Sequence, residues 1–417
     1  MEVTALGAIV GLVVAIVLII KKVHPAYGLI LGAIVGGLVG GAGLANTVTL
    51  MIKGAQGIMP AILRILTAGV LAGVLIESGA AGKIAETIID KIGDTNSLIA
   101  LACSTLVLTA AGVFVDVSVI TVAPIALAIA KRANLSKTSI LLAMIGGGKA
   151  GNVMSPNPNA IAISDSFKIP LTSVMVAGII PGIVGLIVTC IIAKRLTKKG
   201  SFVVSEELSS SSKDMPGFFS AIIGPLLAIV LLSLRPLFNI NIDPLIALPL
   251  GGIVGCLFMG KIKNINRYAI SGINKMAPVA ILLIGTGTIA GIIANSGLKD
   301  AIVGGLNVIG LPAFALAPVA GILMSGATAS TTSGSAVASQ VFGATITELG
   351  IKPLSAGAMI HSGATVLDHL PHGSFFHSTG GSVFMKMKER LYLIPYESIV
   401  GLSMTIASTL IFGIFSK

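Results

Sequence analysis

The sequence predicts an all-α polytopic membrane protein made of two inverted repeats. Each repeat has three helices, a re-entrant hairpin, a broken helix and a closing helix, giving ten crossings plus two hairpins. Three observations predict it. Of 417 residues, 54% are hydrophobic and only 10% charged, with a mean hydropathy of +1.01, too little polarity to cover a water-soluble surface. The segment Ala143-Met144-Ile145-Gly146-Gly147-Gly148-Lys149 through Pro156 returns 215 residues later as Ala358-Met359-Ile360-His361-Ser362-Gly363-Ala364 through Pro371, with five of fourteen positions identical. Ile52–Gly79 aligns without gaps on Ile270–Gly297 at an offset of 218, with eight of 28 positions matched. The pairings share their order and nearly their offset.

Apolar stretches fall at 3–20, 26–44, 57–77, 97–130, 138–163, 172–193, 217–234, 244–259, 277–296, 312–343, 354–380 and 394–415, where roughly 20 residues span a bilayer. The first has no preceding basic region and no small-residue cleavage site, so it reads as a span and not a removed signal. Arg64 lies in the third stretch, and Glu77 ends it at the expected inner surface. The stretches 97–130 and 312–343 are too long for one crossing and are interrupted at Val115-Asp116-Val117-Ser118 and at Ser325 to Ser335; each is read as a hairpin. The two copies of the Ala-Met-Ile segment break their helices at Gly146–Asn159 and His361–Ser374. Five crossings in each half is an odd number, which inverts one half relative to the other. The halves are 1–193 and 217–417, joined by the polar connector 194–216 with its run Ser209–Ser212.

Net charge is +11, but the cations sit in short loops between apolar spans and report topology, so no nucleic-acid partner is expected. With the N-terminus outside, the inner loops hold nineteen Lys and Arg and the outer side six: Lys53, Lys168, Arg235, Lys299, Lys352 and Lys417. This places both termini on the outer side of an inner (cytoplasmic) membrane and the connector in the cytosol. The lipid bilayer is thus one partner. Cys103, Cys190 and Cys256 lie in apolar stretches without metal spacing, so neither a disulfide framework nor a metal site is expected.

Non-helical polar backbone at membrane depth must line a cavity or be buried in protein. Four such places exist: the tip around Asp116, the first break, the tip Ser325–Ser335 and the second break. In an inverted pair they converge near the pseudo-two-fold axis. In the first break, Asn152, Ser155, Asn157 and Asn159 supply polar side chains, and Pro156 and Pro158 remove amide donors; this suits a polar ligand, the alternative being an ordinary loop. Lys149 holds a substrate carboxylate, pairs with Asp116, or has a snorkelling or purely structural role. Asp116, between Val115 and Val117, is either a proton carrier or the partner of Lys149. The second tip offers Thr328, Ser330, Thr331, Thr332, Ser333 and Ser335. Such hydroxyls bind Na⁺ or sugar hydroxyls, and in membranes they also simply pack helices. Ser362 and Thr365 join them in the second break, where His361, His369, His372 and His377 cluster with Asp368. Imidazoles change charge near neutral pH and can couple substrate to H⁺. Metal binding by His369 and His372 lacks a completing Cys or Glu.

These residues resemble the gluconate permease (GntP) family of proton symporters, within the larger ion transporter superfamily. Gly112-Val113-Phe114-Val115-Asp116-Val117 through Pro124 is similar to the family's acidic tip, and Pro156-Asn157-Pro158 to its Pro-His-Pro turn, with Asn157 in place of His. His369 and Ser374-Phe375 are similar to a later His and Ser-Gly-Phe segment. The resemblance implies a homodimer and an elevator-type transporter. Scaffold helices 3–77 and 217–296 would hold a mobile domain of hairpins and broken helices, 97–163 and 312–380.

The expected function is a secondary active transporter, not an enzyme, importing a small hydroxylated organic anion such as an aldonate by proton symport. Lys149, the Asn residues and the hydroxyls of the second tip and break would bind substrate; Asp116, His361, Asp368, His369 and His372 would handle the proton. No cofactor is expected beyond H⁺ as coupling ion. Na⁺ coupling or cation/proton antiport is the alternative, and a channel or an intramembrane enzyme stands further off, since no protease or nucleophile motif is present.

Overall fold

A computed structural model of the chain describes residues 3–93, 96–207, 215–298, 300–301 and 312–415. The serine run Ser209–Ser212 of the connector, and Lys213, Lys299 and Lys417, which count in assigning sides, lie outside them. The described residues form α-helices joined by short turns, with two isolated bridges, Val3 to Ser296 and Ser136 to Phe202.

Helices α1 (Ala5–Ile20), α2 (Pro25–Val39), α3 (Leu44–Gly57) and α4 (Met59–Glu77) open the chain. Thr4 caps α1 by accepting from the Gly7 amide at 3.2 Å, and Pro25 and Pro60 sit in first turns, where a missing amide costs nothing. Next come α5 (Ala80–Ile92), α6 (Ser97–Ala110), α7 (Val115–Ala133), α8 (Lys137–Asn152), α9 (Pro158–Phe167), α10 (Leu171–Ala177) and α11 (Ile179–Arg195). The second part has α12 (Phe218–Phe238), α13 (Pro244–Phe258), α14 (Ile265–Ala294), α15 (Leu316–Thr328), α16 (Thr331–Glu348), α17 (Pro353–Gly363), α18 (Ser374–Ser382) and α19 (Met387–Thr409).

Glycine sets the closest packing. A Cβ on Gly272 of α14 would lie 1.8 Å from the Gly69 carbonyl oxygen of α4, and one on Gly54 of α3 would lie 2.1 Å from the Gly287 oxygen. Gly73 also meets Gly272, and Gly291 meets Gly54. Adding 218 to 54, 69 and 73 gives 272, 287 and 291, so these contacts exchange with one another under the repeat offset. Backbones can approach this closely only without side chains, and in lipid that contact is the main source of helix association.

Elsewhere large apolar side chains face outward. Ile9, Val13, Val17 and Ile20 on α1 and Ile183, Ile187 and Ile191 on α11 are all exposed, at the helical spacing of one lipid-facing stripe. The protein is a multi-pass membrane protein. Among the described residues, Met59–Glu77, Leu171–Arg195, Ile262–Ala294 and Met387–Ile414 are long and apolar enough to cross a bilayer; six further apolar helices run 10–17 residues. A 16-residue helix such as α1 spans only about 24 Å.

Several expected boundaries move. Residues 80–92 are not an inner loop but the amphipathic helix α5, which buries Ile84, Ala85 and Ile89. Helix α14 begins at Ile265, not 277, which takes Lys275 out of the expected inner loop and into a helix. The first hairpin turns at 111–114, so Asp116 is in the first turn of the returning helix. Gly146–Gly148 and His361–Gly363 stay helical; the real breaks are 153–157 and 364–373. Glycine or histidine weakens a helix without ending it, whereas Pro156 and Pro158 remove the amides that would continue one.

Candidate functional site

Both tips, the second break and the helix end that precedes the first break line one cavity of about 570 Å³. Its wall takes Phe114–Val117 from the first tip, Asn152 from the end of α8, Thr328–Ser333 from the second tip, and Asp368 and His372–Phe375 from the second break and the start of α18. The remaining wall belongs to α2, through His24 and Pro25, and to α14, through Asn274, Lys275, Pro278, Val279 and Leu282. Three helices start at this cavity, α7, α16 and α18, and their N-terminal ends carry partial positive charge; the Val117 amide of α7 and the Ser333 amide of α16 are already taken by Asp116 and Ser330.

The second tip is a tight reversal. Ala329 adopts φ +47°, a left-handed conformation uncommon for a residue with a Cβ. Ser330 then caps α16 by accepting from the Ser333 amide at 3.2 Å. Gly373 lies against this turn: a Cβ there would be 2.6 Å from the Ala329 Cβ and carbonyl oxygen. His372 Nε2 lies 3.2 Å from the Ala327 carbonyl and tightens the same contact. The tip also holds the second break and α9, since Thr331 donates to Asp368 Oδ2 at 2.5 Å and Thr332 to Asn159 Oδ1 at 2.6 Å.

Behind the cavity lies a buried charged cluster. Lys149 is 1% exposed, and its ammonium reaches the Thr365 carbonyl at 2.8 Å, Asp368 Oδ1 at 2.6 Å and His369 Nδ1 at 2.9 Å. These three acceptors match its three donors. The His369 Nε2 lies 3.0 Å from the Ile394 carbonyl, an obligate acceptor, so Nε2 carries a proton and Nδ1 offers its lone pair to Lys149. The same Nδ1 is 2.9 Å from Asp368 Oδ1 and 3.9 Å from Glu397 Oε2. Glu397 in turn accepts from Arg390, which also donates to the Phe376 carbonyl at 3.1 Å and stacks over its ring at 4.7 Å. Lys149, Arg390, Asp368 and Glu397 sum to zero with His369 neutral, which is the arrangement that buried charge requires.

The structure thus sorts the expected site residues. Asp116, Asn152, Thr328, Ser330, Thr331, Thr332, Ser333, Asp368 and His372 line the cavity. Lys149 and His369 stand behind it, and Lys149 pairs with Asp368, not Asp116; the Asp116 carboxylate accepts from the Val117 amide at 2.9 Å. Asn157 caps α9, accepting from Ala160 at 3.1 Å and donating to the Asn152 carbonyl at 2.7 Å, and Ser155 donates to the same carbonyl. Ser362 and Thr365 donate to carbonyls of their own segment, Ala358 and Ser362. Ser335 and His361 are buried, and Ser335 Oγ and His361 Nε2 have no hydrogen-bond partner among the described residues. His377 is exposed and reaches the Pro371 carbonyl at 2.8 Å.

Sequence reasoning missed Glu397 and counted Arg390 among the inner-loop cations, whereas it is buried within α19. Their signal was present: two opposite charges seven residues apart, on one face of a mostly apolar helix. It also passed over Asp165 and Asp243, which Arg64 bridges, with Asp243 Oδ1 and Oδ2 at 2.9 and 2.6 Å. Glu77 is exposed and accepts from Ser271 at 2.8 Å.

The family model for GntP family permeases matches residues 3–413. The chain belongs to the GntP family of permeases. The permease is 66% identical to an uncharacterized transporter of Haemophilus influenzae across 99% of each chain. It is 24% identical to a gluconate permease of Bacillus licheniformis over 55% of its own length and 54% of that protein's. With the D-serine transporter DsdX of Escherichia coli it shares 25% identity over 43% and 41% of the two lengths. Its fold is similar to the crystal structure of the Alcanivorax borkumensis YdaH transporter, with a TM-score of 0.66 over 90% and 89% of the chains at 15% identity. The permease is therefore a transporter and not an enzyme.

Proposed function

We propose that this permease imports a small hydroxylated organic anion, gluconate or a similar hydroxy acid, in symport with a proton across the inner membrane. The observation that carries this reading is the electroneutral cluster Lys149–Asp368–His369–Glu397–Arg390 behind the cavity. Asp368 lines the cavity and sits 2.9 Å from His369 Nδ1, so a proton that enters by Asp368 has a short step to the imidazole. With Nδ1 protonated, His369 donates to Asp368 in place of accepting from Lys149, and the cluster gains one positive charge. In a low dielectric that charge favours an anion in the adjoining cavity. The three helix N-termini act in the same direction. The hydroxyls of Thr328–Ser333 suit a polyol chain. Gluconate and D-serine, named for two relatives, each have a carboxylate and a hydroxyl.

The inverted-repeat reading is supported by the glycine contacts that exchange under the 218-residue offset. With it go termini on the outer side, an elevator movement of the hairpins and broken helices, and a homodimer. Uptake of D-gluconate and D-serine by purified protein in liposomes tests the coupling. An inward pH gradient should drive accumulation and an equal Na⁺ gradient should not, and His369→Gln should abolish the pH response. Accumulation driven by Na⁺ and indifferent to pH would assign the hydroxyls of the second tip to Na⁺ instead.

A further inference from the structure

The two lysines near the cavity are differently employed. Lys149 has no donor to spare: its three acceptors are protein atoms at 2.6–2.9 Å, and it takes no part in the wall. Lys275 of α14 is half-buried in the cavity wall, in the same cavity as Asp116. Among the described residues its ammonium makes neither a hydrogen bond nor an ion pair. Val279 and Leu282 of the same helix also line the wall, so this cation loses part of its water without a hydrogen-bonded acceptor; the Asp116 carboxylate across the cavity feels its charge but makes no direct contact with it. A carboxylate entering the cavity would supply one.

We infer that Lys275 is the residue that receives the carboxylate of the transported anion; this rests on the organic-anion reading above. It makes α14 a direct participant in recognition. The substrate then spans two sets of elements. Its carboxylate is held by α14, which is locked backbone to backbone on α3 and α4, while its hydroxyls face the second tip, whose Thr331 and Thr332 already bond the second break and α9. An ammonium on a helix meets a carboxylate as a point charge, so the site selects charge more strictly than it selects chain length.

Calorimetric titration of D-gluconate into the purified full-length protein tests this, with the uncharged D-gluconamide as comparison. Wild type should prefer the acid by at least about tenfold, Lys275→Gln should weaken gluconate binding by about the same factor, and Lys275→Arg should stay within about threefold of wild type. The unliganded melting temperature should be unchanged in both variants. Equal binding of acid and amide by wild type, wild-type affinity in K275Q, or K275R as weak as K275Q would overturn the assignment. If the wild type binds neither D-gluconate nor any other hydroxy acid, the organic-anion reading itself falls. Binding that survives K275Q removes this inference alone.

Discussion

Burial decides what each charged residue of this permease can do. Arg390 and Glu397 are 1% and 0% exposed, and neither can leave water without the other. Truncating one partner strands a buried charge, whereas removing both leaves an apolar site. Glu397→Gln should therefore cost about 3–5 kcal/mol, and the double change Arg390→Met with Glu397→Leu should recover most of it. Melting curves of the detergent-purified single and double variants measure this; additive losses would show that the pair does not act as a unit. Asp368 is the hinge of the cluster because its two oxygens face opposite ways. Oδ1 meets Lys149 and His369, and Oδ2 accepts from Thr331 of the second tip.

At the scale of elements, α14 is held by absent side chains. A leucine at Gly272 would drive its Cβ into the Gly69 carbonyl at 1.8 Å, with backbone and no flexible side chain in the way. Gly272→Leu should abolish the monodisperse peak in size-exclusion chromatography. Gly381 of α18 has nothing within 4 Å of where a Cβ would stand, so Gly381→Ala should be tolerated and raise helix stability by about 0.5–1 kcal/mol. The two variants separate a glycine kept for contact from one that merely occupies a turn of helix. Helix α5 shows the same logic from the opposite side: Lys83 and Lys91 read as inner-loop cations, yet its apolar positions recur at helical spacing and bury one face.

Across the whole molecule, Arg64 of α4 ties α9 to the start of α13 through Asp165 and Asp243. If the broken helix carrying Asp165 moves during transport, this bridge must open each cycle. Asp165→Asn should then raise the initial rate of uptake into liposomes several-fold while leaving substrate affinity unchanged; an unaltered rate would mean that the bridge persists through the cycle. Membrane class, the duplicated segments and the polar interruptions were legible in the chain, because hydropathy and repetition are properties of residues in order. So were the cavity-lining groups Asp116, Thr331 and Asp368, each a polar residue in an apolar stretch. The partners were not legible. Lys149 finds Asp368 at 219 residues' distance, and Arg64 finds Asp243 at 179. Such pairings depend on which helices become neighbours, and in lipid that is decided by backbone approach at glycine and by the need of every buried donor for an acceptor. Sequence by itself determined a membrane transporter with polar breaks in its helices. Only the tertiary structure decided that Lys149 is spent on the protein while Lys275 faces the cavity, because a side chain's role depends on which acceptors surround it.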